Sequence, residues 1–154
     1  MIDHNHKCIY IHISKCAGST VENAFGVTQR RVNKPDFNNL YGWSEEHKLF
    51  LHHATPQELF DNKMIDEETW HDYFKFIIVR NPWDRAYSDY FWFLRQQKVY
   101  DSFINFLFKT GRFKSVLTER NKYYRGDHLK KQIDYFFIDG KRIEYDMVLR
   151  FEHL

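Results

Sequence analysis

At 154 residues the chain is sized for one domain with a substantial core, and its 43% hydrophobic, 29% charged composition is that of an ordinary soluble protein. A net charge of only +2 gives no bulk electrostatic case for nucleic acid, no run is long enough to span a membrane, and the first residues do not read as a signal peptide. Two cysteines, Cys8 and Cys16, are too few for a disulfide framework, which sets the expectation of a reducing, cytoplasmic compartment.

Residues 7–13 form a near-continuous apolar run broken by His12, and they read as a buried strand. The run stops at Ser14 and Lys15, then passes through Gly18, Ser19 and Thr20 into a helical pattern that Gly26 closes after Phe25. Strand, tight loop and helix is the geometry that points free backbone N–H groups and a positive dipole end at an anion. Lys15 adds a cation there, and Ser19 and Thr20 add hydroxyl donors. Residues 28–48 are polar and unpatterned and read as a long surface loop.

Thr55, Pro56 and Glu58 fit the N-cap, N1 and N3 places of a capping box, and Asp66 opens a further helix with Trp70 and Tyr73 as buried positions. Residues 73–79 are the second strong strand, which ends abruptly at Arg80. Asn81 and Pro82 open the longest helix, over residues 82–97, where Trp83, Ala86, Tyr87, Tyr90, Phe91 and Leu94 recur as one core stripe. Ser102 opens another helix, with Phe103, Phe106 and Leu107 inward and Gly111 as its stop. Residues 112–131 carry seven Lys and Arg against Glu119 and Asp127, the pattern of a solvated face or of a surface attractive to an acidic glycan. Residues 135–138 and 145–151 read as strands joined through the turn Asp139-Gly140. Strands alternating with helices predict an α/β fold over residues 1–154, a central parallel sheet flanked by helices on both faces. Ligands of such sheets bind outside the carboxyl ends of the strands, which sets Lys15 and Arg80 on one rim.

A nucleoside-triphosphatase P-loop places its lysine directly after the closing glycine, whereas Lys15 precedes Gly18 by three positions. Arg80 stands where such proteins put a metal-holding Asp. Cations in place of metal ligands point to an anion bound without Mg²⁺, and two cationic points suit a ligand with two separated phosphates. Ser88 lies roughly 130° from the middle of the core stripe at 3.6 residues per turn, free to reach the groove that Arg80 borders. The alternative is an exposed serine beside a structural arginine.

Ile11-His-Ile-Ser-Lys-Cys-Ala-Gly-Ser-Thr20 resembles the 5′-phosphosulfate-binding loop of sulfotransferases, and Phe76-Ile-Ile-Val-Arg-Asn-Pro-Trp-Asp-Arg-Ala-Tyr-Ser-Asp-Tyr90 resembles their 3′-phosphate-binding segment. The likeness is closest to the carbohydrate-type sulfotransferases and their bacterial relatives. His53-Ala-Thr and the segment from Val148 to Leu154 also fit, so it spans essentially the whole chain. The resemblance implies a P-loop-like three-layer fold. It also implies 3′-phosphoadenosine 5′-phosphosulfate as a small-molecule donor, and a hydroxyl or amine acceptor, chiefly a carbohydrate hydroxyl. By carry-over, Lys15 and the backbone of Cys16, Ala17, Gly18, Ser19 and Thr20 hold the 5′-phosphosulfate, and Arg80 and Ser88 hold the 3′-phosphate. Lys15 assists the leaving group, and His53 is the candidate base because the resembling proteins carry a histidine between the two donor loops. His52 is the adjacent alternative, facing the opposite way in an extended segment. The reaction implied is in-line and metal-free.

The chain departs from the family pattern at Ser14, where proline is usual, a change expected to loosen the turn modestly. Family members continue with further helices beyond the segment that ends here at Leu154, so the chain reads as a C-terminally truncated fragment, a minimal viral or bacterial form, or an inactive remnant. His12 is expected to make a satisfied core hydrogen bond. His4, His6, Cys8 and Cys16 match no tetrahedral zinc pattern, Cys8 is expected to point into the sheet core, and no metal is expected. Two rival readings remain open: a Mg²⁺-dependent, kinase-like nucleotide phosphotransferase, and a non-catalytic nucleotide-binding remnant.

Overall fold

A computed structural model describes residues 1–26 and 34–154. Strand β1 (Ile2–Asp3) turns back through residues 4–7 into β2 (Cys8–Ile11), and helix α1 (Gly18–Ala24) follows, ended by Gly26 at φ 69°. Part of the loop expected over residues 28–48 lies outside the described residues. The described remainder is patterned after all: Asp36 bridges Tyr41, and β3 (Trp43–Ser44) pairs antiparallel with β4 (Leu49–Phe50). Trp43 and Phe50 are buried with Tyr124, a contact between distant segments that no local periodicity announces.

Helix α2 (Pro56–Asp61) carries the expected capping box, with Glu58 N–H donating to Thr55 Oγ1 at 3.2 Å and Thr55 N–H donating to Glu58 Oε2 at 2.8 Å. Asp66 caps α3 (Glu67–Asp72) by accepting from Thr69 N–H, and Trp70 and Tyr73 are half-buried. Strand β5 (Phe74–Val79) feeds α4 (Pro82–Trp92), capped by Asn81 and continued by one π-helical turn, Phe93–Gln97. Then come α5 (Phe103–Phe108), α6 (Lys114–Thr118), the hairpin β6 (Phe137–Ile138) with β7 (Lys141–Arg142), and β8 (Met147–Arg150). Helix α5 stops at Lys109, in the left-handed region, before reaching Gly111, and Leu107 is exposed.

The central sheet runs β1-β2-β5-β8, with β2, β5 and β8 parallel and β1 antiparallel to β2. It is therefore mixed, because the turn at residues 4–7 is too short for a crossover and returns the chain alongside itself. The turn Asp139-Gly140 joins β6 to β7, both central residues having positive φ as a two-residue hairpin requires. Tyr135 and Phe136 lie in a 3₁₀ turn, and β8 pairs with β5 on its own account, so the two predicted strands are not partners in one hairpin. Ile9, Tyr10, Ile11, Ile77 and Ile78 anchor the main core. A second, aromatic core gathers Phe93, Phe106, Phe113 and Leu117.

Helix α4 keeps only part of its predicted core stripe: Tyr90 packs against the second core and Ala86, Phe91 and Leu94 are half-buried, but the first turns face out. Trp83 is 78% and Tyr87 59% exposed, while the buried positions are Arg85, Asp89 and, one turn on, Phe93. The surface opposite α4 is polar backbone, so the side chains that can bond it outcompete the aromatic ones. Arg85 Nε donates to Ser14 O at 3.0 Å, Nη1 to Lys130 O at 3.0 Å, and Nη2 to Ser14 Oγ at 3.1 Å and to His128 O. Asp89 Oδ1 accepts from His128 Nδ1 at 2.7 Å. Replacing Arg85 with alanine removes the donors to Ser14 O and Lys130 O and leaves His128 O only the Ser14 hydroxyl, so Arg85→Ala is expected to cost about 3 kcal/mol in urea denaturation. A loss below about 1 kcal/mol would contradict this account of α4.

Candidate active site

The carboxyl ends of β2, β5 and β8 meet on one rim. Past β2, Lys15 and Ala17 take left-handed backbone conformations at φ 64° and 61°, which cost non-glycine residues roughly 1–2 kcal/mol each. Ala17 is the N-cap of α1 and offers no side-chain cap. Among the described residues, Cys16 N–H is taken by Ile13 O and Thr20 N–H by Ala17 O, while Ala17, Gly18 and Ser19 N–H have no acceptor. Those three donors are therefore left to the cleft. Gly18 is required here because an added Cβ would lie 1.8 Å from His12 Nε2. Lys15 is half-buried with Nζ 5.7 Å from the Trp92 ring centre, and burial lowers its pKa against the raising influence of Asp89.

Past β5, the Arg80 backbone is clamped by Gln132, which accepts from Arg80 N–H at 3.0 Å and donates to Arg80 O at 2.7 Å. The guanidinium lies over the Phe151 ring at 4.1 Å, from the end of β8, and Nη1 donates to Lys15 O at 3.1 Å. Its Nε is buried with no acceptor among the described residues. A buried cationic donor left without an acceptor is costly, and an anion in the cleft removes that cost. Ser88 lines the same cleft one turn along α4 from Asp84.

Three histidines form the cleft floor. Leu51–His53 is a 3₁₀ turn, with about three residues per turn, so His52 and His53 point into the same cleft instead of opposite ways. Their ring centres are 4.3 Å apart, and His12 lies 4.4 Å from His53. His52 Nδ1 accepts from Gly42 N–H, and its ring stacks on Tyr41. His53 Nδ1 donates to His12 O at 3.3 Å, which fixes the tautomer and leaves Nε2 as a lone pair. Burial lowers the pKa of all three well under the ordinary histidine value, to about 3 for His52, so they are neutral bases. His12 is not the satisfied core histidine of the sequence reading: its Nδ1 has no hydrogen bond among the described residues, with Glu22 Oε1 3.6 Å away. For His128, burial opposes charge, but Asp89 and Asp127 outweigh it and raise the pKa.

One cleft of about 540 Å³ thus collects Lys15, Ala17, Gly18, Ser19, Thr20, His52, His53, Arg80 and Ser88. Cys16 is set apart: its backbone is in the loop, but its side chain is buried beneath it, with Sγ near Gln132. Cys8 is half-buried. Sequence reasoning missed Gln132, Arg125, His128, Trp92 and Phe151. Arg125 and His128 fall in the basic stretch read as a solvated face, yet Arg125 lines the cleft with its guanidinium over the Phe50 ring at 4.7 Å. No local signal separates these two from the exposed lysines beside them.

A basic, aromatic cleft at the carboxyl rim of an α/β sheet, with an uncapped helix start and neutral histidines, has the chemistry to hold an anionic ligand and to take a proton. The model of the sulfotransferase family matches residues 1–154, and the chain belongs to that family. No curated protein and no solved structure matches it significantly. Among the described residues, no helix is long and apolar enough to cross a membrane.

The packing of the loop sets the chemistry of its cysteine. Burial pushes the Cys16 thiol up to about 11, leaving about one thiolate per thousand at pH 8. Iodoacetamide on the native protein is expected to label Cys8 well before Cys16, with Cys16 reacting freely only in urea. Native labelling of Cys16 as fast as Cys8 would mean that the loop does not pack as described.

Proposed function

We propose that the protein transfers a sulfuryl group from 3′-phosphoadenosine 5′-phosphosulfate to a hydroxyl, on a carbohydrate acceptor, and that its β2–loop–α1 unit works as a P-loop-like cradle. The observation that carries this reading is the convergence of Lys15, the open start of α1, Arg80, Ser88 and His53 on one cleft. The unpaired Arg80 Nε and the free N–H groups of Ala17, Gly18 and Ser19 are donors in want of an anion, so the residues present fit the donor. When bound, the donor supplies an activated sulfuryl group on a phosphate leaving group.

The roles of the chain's own groups follow from charge and position. The Ala17, Gly18 and Ser19 N–H groups and the Lys15 ammonium hold the 5′ end, where they stabilise charge growing on the leaving phosphate oxygen without reorganising. Arg80, stiffened by Phe151 and Gln132, and the Ser88 hydroxyl hold the 3′-phosphate. His53, its Nδ1–H fixed on His12 O, presents Nε2 to take the acceptor proton. Tyr41, Phe50 and Trp92 supply aromatic walls beside polar groups, a lining suited to a sugar.

Calorimetry with adenosine 3′,5′-bisphosphate, paired with a transfer assay using labelled donor, tests the assignment. Lys15→Ala and Arg80→Ala are each expected to weaken bisphosphate binding about 10- to 100-fold. His53→Ala is expected to bind it normally while transfer falls about 10²- to 10⁴-fold. Unchanged affinity in both cation variants would sink the donor site, and undiminished transfer by His53→Ala would remove the base.

A further inference from the structure

One corner of the cleft floor is built of acceptors. His53 Nε2, bare because Nδ1 donates to His12 O, lies 3.8 Å from Asp127 Oδ2. His128 donates through Nδ1 to Asp89, leaving Nε2 as the nitrogen open to a ligand. Asp127 is 2% exposed, and neither carboxylate oxygen has a hydrogen-bond partner among the described residues. One ligand atom from each of His53, Asp127 and His128 lies within 4.8 Å of the other two. A buried carboxylate beside the His53 lone pair is unfavourable until something positive, a proton on His128 or a cation, sits among them.

We propose that His53, Asp127 and His128 form a binding site for a borderline divalent transition-metal ion, Zn²⁺ above all, at the base of the cleft. Two imidazoles and a carboxylate are a donor set that suits zinc and is wrong for Mg²⁺ or Ca²⁺, which take oxygens. Asp89 stands behind His128, and the His12 carbonyl behind His53, the outer partners that orient metal-bound imidazoles. Tetrahedral bonds of about 2.0–2.1 Å put ligand atoms about 3.4 Å apart, so the 3.8 Å pair closes by about 0.4 Å and the widest separation by up to about 1.4 Å. His53 and His128 both line the cleft, so the fourth position opens toward it. Binding displaces any proton that the carboxylates hold on His128. The ion also takes the His53 lone pair, so Zn²⁺ inhibits transfer; that consequence, unlike the binding itself, rests on the function proposed above.

The test uses the full chain after chelator treatment, titrated with Zn²⁺ by calorimetry and with Co²⁺ by visible absorption. One ion per chain is expected, with the intense bands of tetrahedral Co²⁺. Asp127→Asn keeps the shape of the ligand and is expected to weaken Zn²⁺ at least about tenfold, and Asp89→Asn, which touches no metal, about 10- to 100-fold. Circular dichroism and adenosine 3′,5′-bisphosphate binding show that the variants are folded, and two variants keep the test usable if one is not. No Co²⁺ band, or equal Zn²⁺ affinity in wild type and both variants, overturns the site and leaves a water or a proton in the cage. Zn²⁺ binding without any bisphosphate binding would instead uphold the site and refute the donor reading.

Discussion

Arg85 is buried on α4, and its charge is met by carbonyl oxygens of Ser14, His128 and Lys130 and by the Ser14 hydroxyl, not by a carboxylate. Those contacts tie three separate stretches together: the entrance of the Lys15 loop, the start of α4 beyond Arg80, and the segment that brings His128 beneath the cleft. A guanidinium offers five donors in a rigid fork, and no other side chain spans three backbone segments in that way. The Lys15 loop can therefore hold Lys15 and Ala17 in left-handed conformations, because the surrounding contacts over-determine the strained turn.

Ser14 shows how this works locally. In place of the proline usual in the family, its buried hydroxyl donates to His128 O at 3.1 Å and accepts from Arg85. The loop that a proline ring would stiffen is instead pinned by hydrogen bonds to a distant part of the chain. Tyr10 adds a second pin from below, its hydroxyl donating to Cys16 O at 2.9 Å.

What was legible in the sequence is what local physics dictates. The apolar runs that became β2 and β5, the caps at Thr55, Asp66, Asn81 and Ser102, and the adjacency of Lys15 and Arg80 all follow from patterns a few residues long. The failures share a cause. On α4 hydrophobic spacing misplaced Trp83 and Tyr87 and passed over Arg85 and Asp89, because the surface facing those two is made of carbonyls and His128, supplied from more than thirty residues away. The opposite-facing pair of histidines assumed an extended chain where the backbone coils into a 3₁₀ turn. Asp127 and His128 were lost in a basic stretch whose charge pattern says solvent, although both are buried. Polar residues committed to long-range partners leave no periodic signature.

The central claim is that this rim is a two-phosphate clamp, with the Lys15 loop at one end and Arg80 with Ser88 at the other. Comparing the affinities of adenosine 3′,5′-bisphosphate and adenosine 5′-monophosphate by calorimetry, with and without Mg²⁺, tests that most directly. The account predicts that the 3′-phosphate strengthens binding by at least about tenfold, with or without Mg²⁺. Equal affinities for the two nucleotides, or tighter binding of ATP with Mg²⁺, would contradict it.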